Sequence, residues 1–339
     1  MSTVRVRWRR LGPDRGQGEV TLPAGARVED VLRAVGDHPE TVLAALDGVV
    51  VPHDTPMADG DELQITRVVT GGSADVRRAF HATLEDLPAL VSRTKGTQMA
   101  YRRLADELAL DHADNLRNPH DWAIYAFHAG LVARLVPGQG RVLDWGGYYG
   151  HVTATLHALG VRGAANYLLH VPPRYEPVAQ KLAIPTLLGS DPNRLSVPDA
   201  SQDAWISSGV FEHVWEDGVG DEATILADVF RVLRPGGLAF LWNLPTTFAP
   251  GDLAGKVRGR WYHERRFGAR EIRSLLQAAG FSVLAHWRYG GTPLGLLLKR
   301  LAADPARTFQ WDRAAASLPP LGWAANNHAL VARKPSTAD

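Results

Sequence analysis

The residues best suited to chemistry lie in the segment Arg141-Val-Leu-Asp-Trp-Gly-Gly-Tyr-Tyr-Gly150. An apolar strand pattern runs into the carboxylate of Asp144, then through a glycine turn into a helical pattern. Glycines allow positive φ and a close approach to a ligand, and a carboxylate at a strand end accepts from ligand amines or hydroxyls. A dinucleotide fingerprint places its acid about 20 residues after the glycines, whereas here the acid comes first. The segment therefore predicts a loop for a cofactor without a pyrophosphate.

Histidines near this loop are candidate proton acceptors, because imidazole is the natural base near neutral pH. His213 follows Glu212 directly after a predicted strand, and His263 lies in the loop after the next strand. His151 begins the helix that follows the glycines. The chain has 13 histidines, so most of them must have ordinary structural roles. His213 and His263 are the two that we assign as candidate catalytic residues.

The diglycine Gly71-Gly72 is a second chemical feature, and it ends a stretch that reads as a complete small domain. Within that stretch Val4, Val6 and Trp8 alternate with arginines as in a half-buried strand. A hairpin partner, a helix and two further strands follow, the first of them interrupted by Asp47-Gly48. The pattern predicts a compact ββαββ unit.

The rest of the chain divides into a helical block and an alternating block. Apolar residues recur at helical spacing from Ala74 to Val136, which predicts about three helices. From Arg141 to Asn243 strand and helix patterns alternate, which implies a mainly parallel sheet covered by helices on both faces. A helix at Ala269–Ala279 and strands at Val283–Arg288 and near His328–Ala332 complete the prediction.

Composition narrows the function classes. The chain has 339 residues, long enough for two domains, with 37 Lys plus Arg against 36 Asp plus Glu. This near-zero net charge gives no overall electrostatic attraction to nucleic acid or to an anionic membrane. Apolar runs such as Leu294–Leu298 are too short to span a bilayer. The absence of cysteine excludes disulfides, thiolate metal sites and a cysteine nucleophile from this chain. We expect a cytoplasmic protein that binds no metal.

From Gly138 to Lys334 the sequence resembles the class I S-adenosylmethionine-dependent methyltransferases of the type 11 kind. Their first motif, acid-x-Gly-x-Gly-x-Gly, matches Asp144 to Gly150 except that Tyr148 replaces the middle glycine. Three later segments resemble the family's fourth-strand motif, the turn after its next helix, and its late helix and strand: Asp203–Val214, Arg231–Gly237 and Arg266–Phe281. The resemblance implies an α/β, Rossmann-like domain with a parallel-rich seven-stranded sheet, and S-adenosylmethionine as cofactor.

The resemblance also implies a set of cofactor-binding residues. His170 stands where the family usually has the acid that binds the ribose hydroxyls, and Asp191 stands at the position that meets the adenine amino group. An Asp191-Pro192 turn explains the latter residue equally well. The full set of implied cofactor-binding residues is Asp144, Gly146, Gly147, Tyr148, Gly150, His170, Asp191, Ser208 and Gly209.

The first 72 residues resemble the β-grasp sulfur carriers, which include the small subunit of molybdopterin synthase and the thiamine sulfur carrier. The resemblance rests on Val28–Leu32, Asp59–Ile65 and Val68–Gly72. In that family an adenylating enzyme activates the terminal glycine carboxylate, which then carries sulfur. Here Ser73 follows Gly72. Either a protease releases the carrier by cutting after Gly72, or the diglycine is a linker and the domain serves in docking or dimerisation.

Together these features predict a β-grasp domain at residues 1–72, a helical linker or lid at 73–137, and a methyltransferase domain at 138–335. The expected activity is methyl transfer to a small-molecule acceptor, within sulfur-metabolite biosynthesis if the first domain is a carrier. The alternative is a scaffold that binds the cofactor weakly and docks through the β-grasp domain. A nicotinamide oxidoreductase is disfavoured, because no Gly-x-Gly-x-x-Gly follows a predicted strand.

Overall fold

The computed structural model describes residues 2–11, 16–37, 42–67, 74–111, 114–214, 220–250, 256–257, 263–301, 303–318 and 321–336. Contacts within the chain divide it into two compact units, Met1–Gly71 and Gly72–Asp339. The diglycine Gly71-Gly72 lies outside the described residues. Within the described ranges, no helix is long and apolar enough to cross a membrane.

The first unit is a five-stranded sheet with one helix. Its elements in chain order are β1 (Thr3–Leu11), β2 (Gly16–Pro23), α1 (Val28–Ala34), β3 (Val42–Leu46), β4 (Val49–Val51) and β5 (Glu62–Arg67). The strands lie in the order β2-β1-β5-β3-β4, with β1 and β5 parallel. Val28, Val31 and Leu32 of α1 are fully buried in a core with side chains from the sheet. The unit is a β-grasp fold.

The predicted ββαββ order was wrong by one strand. Asp47 and Gly48 have φ values of 50° and 79°. A two-residue type I′ turn requires positive φ at both central residues, and it reverses the chain direction. The segment Val42 to Val51, predicted as one interrupted strand, is therefore the antiparallel pair β3 and β4.

The second unit is built on a seven-stranded sheet, which confirms the predicted sheet. Its strands are β6 (Val142–Trp145), β7 (Ala164–Leu168), β8 (Thr186–Leu188), β9 (Gln202–Ser208), β10 (Leu233–Pro245), β11 (Ser282–Tyr289) and β12 (Asn327–Arg333). They lie in the order β11-β12-β10-β9-β6-β7-β8. The ladders from β10 to β8 are parallel, and β12 is antiparallel to both of its neighbours.

This strand order places a binding crevice beside β6. From β6 the chain proceeds outward through β7 and β8, and it then returns to start β9 on the other side of β6. In open α/β sheets, ligands bind outside the carboxyl ends of the strands where the strand order reverses in this way. The glycine loop follows the carboxyl end of β6, so it lies at this crevice.

Helices cover the sheet and include two that the sequence patterns did not predict. The helices of this unit are α2 (Ala74–Glu85), α3 (Leu87–Glu107), α4 (Asp114–Arg117), α5 (Pro119–Leu135), α6 (His151–Ala158), α7 (Tyr175–Leu182), α8 (Glu222–Val232), α9 (Ala269–Ala278), α10 (Pro293–Arg300) and α11 (Pro305–Ala316). Helices α10 and α11 were missed although each carries a start signal. Thr292 and Asp304 cap them by side-chain hydrogen bonds, and a proline follows each cap.

The helical block is packed into the second unit. On α5, Trp122 is fully buried and its indole N–H donates to the Thr94 hydroxyl of α3 at 3.1 Å. Phe127 of α5 lies with its ring centre 4.9 Å from that of Phe309 on α11. The Tyr101 hydroxyl donates to the carbonyl of Tyr149 at 2.9 Å. The helices before β6 therefore contact the glycine loop directly.

Candidate active site

The glycine loop adopts the left-handed backbone that its motif predicts. Gly146, Tyr148 and Gly150 have φ values of 68°, 47° and 72°. A side chain in this region costs roughly 1–2 kcal/mol, which explains why glycine suits all three positions. Tyr148 retains the turn despite its side chain. The departure from the glycine motif at Tyr148 therefore leaves the backbone path of the loop intact.

Gly147 is held where no side chain fits. A Cβ at this residue would lie 2.4 Å from Asn166 Oδ1 and 2.6 Å from Asp144 Oδ2. The loop also approaches the segment after β9, because a Cβ on Gly146 would lie 2.5 Å from a methyl group of Val210. The loop thus offers bare backbone at the carboxyl ends of β6 and β9, which fits close binding of a nucleoside cofactor.

Asp144 lies behind the loop and is completely buried. Its Oδ2 accepts from the Thr153 amide at 3.0 Å and from the Thr153 hydroxyl at 2.8 Å. Burial raises the pKa of this carboxyl to about 6, and the Thr153 hydrogen bonds oppose the shift. Its Oδ1 has no hydrogen-bond partner among the described residues. In this geometry Asp144 ties the loop to the first turn of α6.

We expect Asp144→Asn to change how stability depends on pH. The folded-state pKa of about 6 lies above the ordinary 3.8, so the carboxyl stabilises the fold most below pH 3.8 and loses this contribution as the pH rises through 6. A shift of this size corresponds to about 3 kcal/mol. Between acid and neutral pH, the free energy of unfolding of the variant should therefore rise by about 3 kcal/mol relative to that of the parent. Urea unfolding at a series of pH values measures this difference. The buried histidines are present in both proteins, so their contributions to the pH dependence cancel in the difference. A difference in unfolding free energy that stays constant with pH would contradict this prediction.

Asn166 is a site residue that the sequence patterns did not reveal. This fully buried side chain on β7 donates from Nδ2 to the Tyr175 hydroxyl at 2.8 Å and to the Tyr148 carbonyl at 3.3 Å. It therefore ties the loop to β7 and to the start of α7. The available signal was a single amide inside the apolar run Ala164–Leu168, since a buried polar group must have partners.

Two residues predicted to bind the ribose and adenine lie further along the same edge. His170 is exposed just after β7. Asp191 is also exposed, and its Oδ1 accepts from the Asn193 amide at 2.8 Å. That bond closes a local turn. Their cofactor roles stay predictions.

A polar network joins the ends of β9, β10 and β11. The Asn243 amide nitrogen Nδ2 donates to the Ser208 hydroxyl at 3.2 Å, and the Tyr289 hydroxyl donates to Asn243 Oδ1 at 2.7 Å. Asn243 has a φ of 55°, and Gly209 has a φ of 67°. The structure thus places the predicted residues Ser208 and Gly209 beside two further residues, Asn243 and Tyr289, that the sequence analysis missed.

The two predicted catalytic histidines come together with one carboxylate. His213 and Glu212 belong to the short 3-10 helix Phe211–His213 that follows β9, and His263 lies after β10. Glu212 Oε1 is 3.5 Å from His263 Nε2, and the rings of His213 and His263 have their centres 5.5 Å apart. His213 and His263 are partly exposed, whereas Glu212 is buried.

His151 lies elsewhere. Its ring is buried, 4.5 Å from the Tyr125 ring centre, and burial lowers its pKa to about 4. The aromatic side chains of Tyr101, Trp122, Tyr125 and Phe127 in the helical block are likewise buried. The helical block therefore forms a packed wall beside the glycine loop, and His151 is a neutral part of that wall.

Comparison with known proteins finds a family match in each of the two units. Residues 12–72 match the ThiS family, and residues 143–241 match a methyltransferase domain. The second match begins at Leu143 and includes the glycine loop and the Glu212-His213 pair.

The chain is also similar to individual proteins. A probable S-adenosylmethionine-dependent methyltransferase of Mycolicibacterium smegmatis is 36% identical over 133 residues, which are 35% of this chain and 47% of that protein. The chain thus spans less than half the length of this relative. An uncharacterized protein of Archaeoglobus fulgidus is 33% identical over 69 residues, 20% of this chain and 100% of its own length. A solved methyltransferase of Thermotoga maritima is 16% identical, with a TM-score of 0.44 over 70% of this chain and 99% of that one.

Proposed function

We propose that the chain is an S-adenosylmethionine-dependent methyltransferase with an appended β-grasp domain, because residues 12–72 match the ThiS family and residues 143–241 match a methyltransferase domain. The proposed acceptor is a small molecule. The observation that carries the proposal is the glycine loop, with three left-handed residues at the carboxyl end of β6 where the strand order reverses.

When bound, the cofactor would supply a methyl group on a sulfonium. An acceptor lone pair would bond to the methyl carbon while the methyl–sulfur bond breaks in line and the thioether leaves with the bonding electrons. The chain has to hold the acceptor about 3 Å from that methyl group. Gly146, Gly147 and Gly150 give the cofactor close access to the backbone. Asp144 and Asn166 contribute to this site by holding the glycine loop in place.

On the acceptor side, His213 and His263 are the candidates to take up the acceptor proton when their ring nitrogens bind no metal ion. Both lie after strands whose carboxyl ends adjoin the crevice, and both are partly exposed. Ser208 and Gly209 lie between this pair and the glycine loop along the sheet edge. We assign them to the floor beneath the cofactor, with His170 and Asp191 towards its ribose and adenine.

A crystal structure with S-adenosylhomocysteine tests this assignment. We expect the nucleoside to lie over residues 146–150, with its adenine towards Asp191. A nucleoside bound away from the carboxyl ends of β6 and β9 would contradict the assignment.

The scaffold alternative rests on Tyr148 and His170, which depart from the family pattern. Tyr148 retains the left-handed turn, so this departure argues against loss of the loop. His170 is the stronger argument for weak binding, because an imidazole cannot accept from both ribose hydroxyls as a carboxylate does. The affinity for the cofactor therefore separates the two functions.

For the β-grasp domain we propose either of the two roles set out above. As a sulfur carrier it needs an adenylating enzyme, a sulfur donor and a protease that cuts between Gly72 and Ser73. As a docking module it needs none of these. The residues that distinguish the roles, Gly71 and Gly72, lie outside the described part of the chain.

Intact-mass analysis of the protein from its native host distinguishes these roles. The carrier role predicts a fragment that ends at Gly72, and a mass increase of one sulfur replacing one oxygen when it is loaded. A Gly72→Ala variant serves as the control, because a side chain at this position should block both processing and activation. The carrier role would be contradicted if the native host, under conditions in which it makes the protein, yielded full-length protein and no fragment.

A further inference from the structure

We propose that Glu212, His213 and His263 form a binding site for a divalent first-row transition-metal ion. Each residue offers one ligand atom, and these atoms all lie within 4.8 Å of one another. The residues come from two separate chain segments, after β9 and after β10. The tertiary fold, and not local sequence alone, brings them together.

The distances suit a small cation after a modest adjustment. Ligand atoms about 2.1 Å from a tetrahedral ion lie about 3.4 Å from each other. Glu212 Oε1 and His263 Nε2 are already 3.5 Å apart. The widest separation in the cluster has to close by up to about 1.4 Å to reach tetrahedral spacing. Rotation of the partly exposed imidazoles can supply this movement.

The carboxylate has an electrostatic reason to bind a cation. Glu212 is 1% exposed, and burial of an ionised carboxylate is costly unless a positive charge compensates it. A dication held between Glu212 and the two imidazoles would be attracted to this carboxylate.

The donor set selects the kind of metal. Two imidazoles and one carboxylate are the protein ligands of one class of catalytic zinc sites, which keep a further position open for water or substrate. Mg²⁺ and Ca²⁺ prefer sites made of oxygen ligands. The cluster therefore favours Zn²⁺ or a neighbouring transition metal.

The position of the cluster links it to the acceptor. A Cβ on Gly209 would lie 3.8 Å from Glu212 Oε1, so the carboxylate adjoins the proposed cofactor floor. A hydroxyl bound to such an ion loses its proton more readily than in water. An acceptor with a hydroxyl or carboxylate group would fit an open coordination position here. This second step rests on the proposed methyl transfer, whereas the metal site itself does not.

Calorimetric titration of the full, metal-stripped chain with Zn²⁺ alone tests the site, with bound metal counted by mass spectrometry. We expect one bound ion, and at least about tenfold weaker binding in each of Glu212→Gln, His213→Ala and His263→Ala. His53→Ala, in the first unit, should bind as the parent does. Circular dichroism checks that each variant is folded, and His263→Gln replaces His263→Ala if that variant is not.

Absence of Zn²⁺ binding, or equal binding by the parent and all three cluster variants, would overturn the metal site. Binding of S-adenosylhomocysteine is measured separately on the same proteins. A chain that binds Zn²⁺ but not the nucleoside retains the metal site and loses the proposed function. A chain that binds the nucleoside but not Zn²⁺ retains the proposed function and loses the metal site.

Discussion

Replacement of Gly147 by alanine should weaken binding of S-adenosylhomocysteine by about 10- to 100-fold, since overpacking of this kind typically costs about 1–3 kcal/mol. The added Cβ would meet Asn166 Oδ1 at 2.4 Å and Asp144 Oδ2 at 2.6 Å. Neither oxygen can retreat easily. Asp144 is held by two bonds from Thr153, and the Asn166 amide is held by Tyr148 and Tyr175. The loop backbone therefore has to move away from its binding geometry.

The matched control is Gly96→Ala on α3. A Cβ there meets nothing within 4 Å, and alanine favours a helix over glycine by about 1 kcal/mol. Calorimetry should show parental nucleoside affinity for Gly96→Ala, and thermal unfolding should show equal or higher stability. Parental affinity in Gly147→Ala would mean that the loop has room that the structure does not show.

Removal of the helical block should have the second large effect. A chain that starts at Ala74 should fold and bind the nucleoside with the affinity of the full chain. A chain that starts at Gly138 should not fold cooperatively. It lacks α2 to α5, so Phe309 loses its contact with Phe127, and the loop carbonyl of Tyr149 loses its hydrogen bond from Tyr101.

Thermal unfolding and nucleoside titration of the two shortened chains measure this effect. The chain from Ala74 is the control, because it lacks only the first unit and the diglycine. If the chain from Gly138 unfolded cooperatively and bound with parental affinity, residues 73–137 would be a dispensable lid. The boundary expected near residue 137 would then separate two independent parts.

The sheet was predictable from sequence because its strands are short apolar runs separated by regular helical patterns. Asp144, Gly146 and Gly150 could be placed at a strand end for the same reason. The hairpin at Asp47-Gly48 was misjudged as one strand, since strand periodicity alone does not show a reversal of direction.

The residues that hold the site in place were much less predictable from the sequence. Asn166 and Tyr289 act through partners distant in sequence, and nothing in the local pattern of either residue indicates those partners. The cluster of Glu212 and His263 joins residues 51 positions apart, with α8 and β10 between them in the sequence. The cofactor-binding role of Asp144 stays a prediction, and its two bonds from Thr153 add a contact with the helix after the loop that the sequence did not reveal.

Calorimetric titration of the full chain with S-adenosylhomocysteine tests the central proposal most directly. We expect one nucleoside bound per chain with micromolar or tighter affinity, and a clear loss of affinity in Gly147→Ala. Failure to bind at millimolar nucleoside would contradict the methyltransferase assignment and leave the scaffold as the better account.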